Sequence, residues 1–161
     1  MKINRIADGS VARAILMLLL LTGLTGITGC AQGTPSISIE MPVAHLSSII
    51  AGAGSVFLKI NNTGNGSDTL LSAKTDMPDT ITELHDVIDG KMNKINAIVI
   101  PAGNVIEMRP LNRHIMIFNM PKKVREGYEF TVFLTFEKSG IKPIYIKFQN
   151  SASPKVRESM H

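Results

Sequence analysis

Two histidine–methionine groupings carry what chemistry the chain offers. His114-Ile115-Met116 lies in an apolar, β-branched stretch. On an extended strand alternate side chains share a face, so its imidazole and thioether project together, about 6.5–7 Å apart along the chain. His85 closes the run Thr82-Glu83-Leu84-His85, and Met92 follows the Asp89-Gly90 turn. His85, Met92, His114 and Met116 together offer two imidazoles and two thioethers, all uncharged. Such donors suit Cu(I), a soft monovalent ion, whereas carboxylates and water suit calcium or magnesium. Neutral ligands offset the second charge of Cu(II) less well. Thioethers form no disulfides, so the set survives an oxidising compartment, although sulfoxide formation threatens it. A zinc site of three His, or two His and a Glu, leaves the methionines unexplained. A blue-copper carrier needs a Cys thiolate, and the chain has only Cys30. His-x-Met also arises by chance, so spacing alone leaves ligand and core filler both open.

The remaining donors read differently. Seven methionines follow residue 29, and Met41, Met77 and Met108 read as core filler because thioethers adapt to irregular gaps. His45, just ahead of Leu46-Ser-Ser, reads as a loop histidine. Met160 and His161, at the polar C-terminus, offer a possible auxiliary metal pair. Enzyme motifs are missing: there is no Gly-x-Ser-x-Gly elbow, and Gly52 and Gly54 lack the spacing and Lys-Ser/Thr ending of a phosphate loop. The acids Asp86 and Asp89 flank a turn, as solvated surface residues do. The expectation is a binding protein and not an enzyme.

The first 29 residues read as an address. Lys2, Arg5 and Arg13 precede the apolar run Ala14 to Leu21, which has the pattern of a secretory signal and is shorter than the about 20 residues a spanning helix needs. It ends in Ile27-Thr28-Gly29-Cys30, which resembles the lipobox of bacterial lipoproteins. That resemblance implies cleavage before Cys30, acylation of its thiol, and a domain held at a membrane in the cell envelope, facing the periplasm. Each buried methylene of an acyl chain adds about 0.8 kcal/mol, so several chains anchor firmly. Three basic residues and one acid leave with the leader, taking the net charge from +4 to +2. That is too near neutral for a nucleic-acid partner, which calls for a concentrated basic patch. One cysteine excludes an internal disulfide and an iron–sulfur cluster.

The elements that must position the donors read as all-β. Residues 30–36 form a small, polar tether and 37–148 a single domain, followed by a polar tail over 149–161. Val56, Leu58 and Ile60 alternate with Phe57, Lys59 and Asn61, and a dense turn signal follows at 62–67. Further strands are expected over Asp68–Thr75, Thr80–Val87, Ile95–Ile100, Val105–Arg109, His114–Phe118, Tyr128–Glu137 and Ile141–Phe148. Phe130, Val132, Leu134 and Phe136 lie on one face, as do Ile144, Ile146 and Phe148. Short strands and frequent turns without an amphipathic helix point to an antiparallel sandwich.

Four stretches in order, Glu83-Leu-His85-Asp, Gly90-Lys-Met92, Ile100-Pro-Ala-Gly103 and His114-Ile-Met116, resemble the PCu(A)C (DUF461) family of periplasmic copper chaperones. That family keeps 21 residues between its inner Met and the His of its H-x-M, as do Met92 and His114. Val56 to Gly64 with Asp68-Thr-Leu70, and Gly127 to Glu137, match two further family segments, so the resemblance spans roughly 37–148. It implies a Greek-key, cupredoxin-like β-sandwich binding Cu(I) through His85, Met92, His114 and Met116. It also implies delivery of copper to a cytochrome oxidase, most often toward the CuA centre of cytochrome c oxidase subunit II, or to another periplasmic copper chaperone. Two segments depart from the family pattern. Asp86-Val87-Ile88 stands where the family often has a Met, and Pro110-Leu-Asn-Arg113 replaces its Pro-Gly-Gly. A structural or interaction lipoprotein of the envelope, with the same sandwich and no functional metal, is the competing reading.

Overall fold

The computed structural model describes residues 33–149; Cys30, Met160 and His161 fall outside them. Ten strands run in order: β1 (Ile37–Leu46), β2 (Gly54–Asn62), β3 (Asp68–Thr75), β4 (Ile81–Ile88), β5 (Lys91–Ile95), β6 (Ile98–Ile100), β7 (Val105–Met108), β8 (His114–Phe118), β9 (Glu129–Phe136) and β10 (Gly140–Gln149). Among the described residues there is no helix. One sheet has the order β5-β4-β8-β2-β1 and the other β10-β9-β3-β6. A parallel pairing of β1 with β10 joins them, and every other pairing is antiparallel. The all-β sandwich expected from the alternation is what forms.

Period-two patterning explains the core. Along β2 every second residue is buried, and Val56, Leu58 and Ile60 meet Phe130, Val132, Leu134 and Phe136 of β9 in one cluster. Phe148 of β10 closes the layer by stacking on Phe130, with centroids 4.7 Å apart. Gly54 is needed where β1, β2 and β10 converge. A Cβ there would sit 2.8 Å from the Phe148 ring and 2.9 Å from the His45 carbonyl.

Two buried polar residues tie the loops. Asn62 donates to the carbonyls of Gly66 and Pro101 and accepts from Ser36 and Gly64. Asp68 accepts from the backbone N–H groups of Thr69, Lys138 and Ser139.

Three local expectations need correction. His45 is not in a loop: it belongs to β1 and pairs with Ser55 of β2 and Gln149 of β10. Met41 is not core filler: it is 69% exposed, with φ 50°, at the register shift between Glu40 and Val43. Met77 and Met108 are in the core. The stretch expected as one strand over Ile95–Ile100 divides instead. Lys91–Ile95 returns along β4 through a two-residue Asp89-Gly90 turn, both residues at positive φ, the combination of a type I′ hairpin. Residues 96 and 97 then carry the chain across to β3 in the other sheet, where β6 pairs.

Candidate metal centre

β7 and β8 lie end to end along the same edge of β2. β7 pairs with residues 58–61 and β8 with residues 54–56. Between them the chain arches off the sheet over 109–113, closed by a hydrogen bond from Arg109 N–H to the Arg113 carbonyl at 2.9 Å. This is the segment that departs from Pro-Gly-Gly, and Leu111 within it takes φ 61°, where a glycine is unstrained. The arch delivers the chain into β8 beginning with His114.

On β8, Ile115 and Ile117 point into the core, so His114, Met116 and Phe118 point out of it. β4 runs alongside with His85 opposite His114 and Glu83 opposite Met116. The two imidazoles are neighbours, with centroids 5.8 Å apart. Both are buried although they face away from the main core, as is Met116, which lies outside the principal hydrophobic cluster. Phe57 stands 6.0 Å from the His114 ring, and Phe118 stands 6.1 Å from that of His85. A small aromatic layer thus flanks the donors.

Met92 sits differently. On β5 it pairs with Val87 of β4, while His85 of β4 pairs with Lys94. Met92 and His85 therefore share a face as diagonal neighbours, about 7–8 Å apart at Cα. Unlike the other three, Met92 is half-exposed. The fold thus gathers His85, His114 and Met116 into one buried patch and holds Met92 at its rim.

Hydrogen bonds set the donor atoms. His114 Nδ1–H donates to the Asn112 carbonyl at 2.7 Å, so in the neutral ring the lone pair is on Nε2. His85 Nε2–H donates to Glu83 Oε2 at 2.9 Å, which leaves the lone pair on Nδ1. That Nδ1 is buried and hydrogen-bonds to nothing. Glu83 in turn accepts from Lys94 Nζ at 2.7 Å. The Lys94 ammonium first, and His85 second, hold the Glu83 carboxyl below the usual carboxylate range, so it stays an acceptor. An imidazole fixed by a carboxylate behind it, with its other nitrogen unclaimed, is the arrangement of a metal-ligating histidine. Among the described residues no three His, Cys, Asp or Glu converge on one point, and the third side-chain donor beside the two imidazoles is the Met116 thioether.

Sequence reasoning did not assign Glu83 a role, although its i, i+2 spacing from His85 puts both on one strand face. Ser55, Phe57 and the Asn112 carbonyl were not legible, because they come close only through strand register and the arch. Arg113 points to the other face, where its Nε donates to Asp86 at 3.2 Å.

The all-β sandwich is a fold this chain shares with solved PCuAC domains. The solved structure "Copper-bound PCuAC domain from PmoF2" superposes with a TM-score of 0.60 at 20% identity, covering 71% of this chain and 92% of that one. "CuI-DR1885 from Deinococcus Radiodurans" gives 0.61 at 12% identity, covering 78% and 85%. Residues 37–147 match the family described as "Putative lipoprotein LpqE-like", and the chain belongs to that family. "Putative lipoprotein Lxx21020" of Leifsonia xyli subsp. xyli is 22% identical over an alignment of 153 residues that covers 90% of this chain and 90% of that one.

Proposed function

We propose that this lipoprotein is a Cu(I) chaperone of the cell envelope. It binds copper through His85, Met92, His114 and Met116 and passes it on by ligand exchange. The observation that carries this reading is the buried His85–His114 pair with an unclaimed His85 Nδ1 and Met116 two residues along β8. Copper is the cargo, and no oxidation or bond-making catalysis is involved. The solved relatives named for copper support the choice of ion. Acylation of Cys30 holds the domain at a periplasm-facing membrane, and the acceptor is a cytochrome oxidase copper centre or another copper-carrying protein at that surface. Met92, half-exposed at the rim, is the donor an incoming acceptor thiolate displaces first. Met160 and His161 serve as auxiliary ligands.

The test is anaerobic titration of the full chain with Cu(I) against a competing chelator. A one-to-one complex is expected, and replacing both His114 and Met116 by Ala should lower its affinity at least a hundredfold while circular dichroism retains the β spectrum. A wild-type chain that never competes with the chelator would establish the interaction-module alternative instead, and a double variant that competes equally well would overturn the assignment of His114 and Met116 as ligands.

A further inference from the structure

One imidazole outside the four donors faces the same patch and lacks a partner of its own. His45 on β1 lies opposite Ser55 of β2, and Ser55 lies opposite Met116 of β8, so the three side chains form one cross-strand row. The Nδ1 of His45 is sealed from solvent and takes part in no hydrogen bond. Ser55 Oγ–H donates to Met116 Sδ at 3.1 Å. The thioether therefore leans over Ser55 toward β1, away from Glu83, its neighbour on the other side. Phe57 flanks the row, 6.0 Å from the His45 ring and 6.0 Å from the His114 ring. The backbone of His45 is held on both sides, by Ser55 and by Gln149.

Directly opposed side chains are about 5 Å apart at Cβ, so His45 and Met116, with Ser55 between them, stand roughly 10 Å apart. Two long side chains leaning inward can close that span around one ion. The sulfur already leans that way.

We propose that His45 is a further copper donor, forming with Met116 a second station beside the His85–His114 pair. This rests on the Cu(I) reading of the site and extends it across β1. Moving the ion to the second station breaks its bonds to Met92, His85 and His114 one at a time and forms one to the His45 imidazole, with Met116 common to both. Copper stays monovalent throughout, and the Ser55 proton stays on its oxygen. Such a relay gives the ion a partly coordinated resting place while an acceptor takes over its first ligands, so it is never released to water.

The full chain, 15N-labelled at histidine and titrated anaerobically with Cu(I), tests this. The imidazole nitrogens of His45 should shift along with those of His85 and His114 as the first equivalent is added. A His85→Ala chain should keep weakened binding, and adding His45→Gln should lower its affinity at least a further tenfold. Shifts confined to His85 and His114, or equal affinities for His85→Ala and the double variant, overturn the proposal while leaving the four-donor site standing. A wild-type chain that binds no Cu(I) overturns both. The wild-type spectrum decides even where a variant fails to fold.

Discussion

Glu83 determines which nitrogen of His85 is available. Its carboxylate accepts a hydrogen bond from Nε2–H, Lys94 keeps the carboxylate charged, and the buried Nδ1 is left with its lone pair unused. The equivalent service for His114 comes from a backbone carbonyl, that of Asn112, which no substitution removes. Glu83 is therefore the point at which ligand orientation can be altered without touching a donor. Outer partners of this kind are worth about 10–100-fold in metal affinity. Glu83→Gln should weaken Cu(I) binding by that order, with the one-to-one stoichiometry and the fold unchanged. The imidazole 15N shifts of His85 should move from a pure Nε2–H form toward a tautomer mixture. Unchanged shifts together with unchanged affinity would mean that the strand alone orients the ring.

At the scale of elements, legibility followed locality. His114 and Met116 were readable as a pair because both sit on one strand, and the hydrophobic alternation of β2, β9 and β10 placed the core. His45 was misread because a histidine followed by Leu-Ser-Ser carries no strand signal. Its place in β1 comes from pairing with β2 and β10, whose residues lie 10 and 104 positions further on. β5 was missed for a related reason: Lys91-Met-Asn-Lys-Ile95 is polar, and only the Asp89-Gly90 turn folds it back. Lysines on such an outermost strand also discourage pairing with another chain.

Asp68 tests an element-level device, the clamp that joins the start of β3 to the β9–β10 turn. Burial by itself pushes its carboxyl up. Hydrogen bonds from the Ser139 side chain and from the backbone of Lys138, Thr69 and Ser139 outweigh burial and hold it below the usual carboxylate range. A folded pKa below the unfolded one means that the unfolded chain binds more protons in acid. The stabilisation is then fully present above the unfolded value and is lost as pH falls through the folded one. Asp68→Asn should cost about 2–3 kcal/mol at neutral pH, in line with hydrogen bonds to a charged acceptor. In urea denaturation the gap between wild type and variant should close progressively below about pH 5. A gap that stays constant down to pH 2 would show that the charge contributes nothing.

The two sheets meet along β1 and β10, and they share a single hydrophobic cluster drawn from both. That sharing makes the metal patch depend on residues far from it. Phe148 is fully buried, stacks on Phe130, and lies against the Gly54 end of β2, one residue before Ser55. Truncating a buried phenylalanine costs about 3–5 kcal/mol, a large part of the 5–15 kcal/mol that holds a typical domain together. Phe148→Ala should therefore lower the urea midpoint sharply with an unchanged slope, since the same surface is exposed on unfolding. One core also predicts one transition. The chain has no tryptophan and two tyrosines, Tyr128 just before β9 and Tyr145 on β10, so near-ultraviolet dichroism reports the second sheet. The imidazole resonances of His85 and His114 report the first. In Phe148→Ala both signals should be lost at the same urea concentration. Loss of the tyrosine signal while the imidazole pair persists would show that the sheet bearing the donors holds without its partner, and the shared core would then not be what keeps the two histidines together.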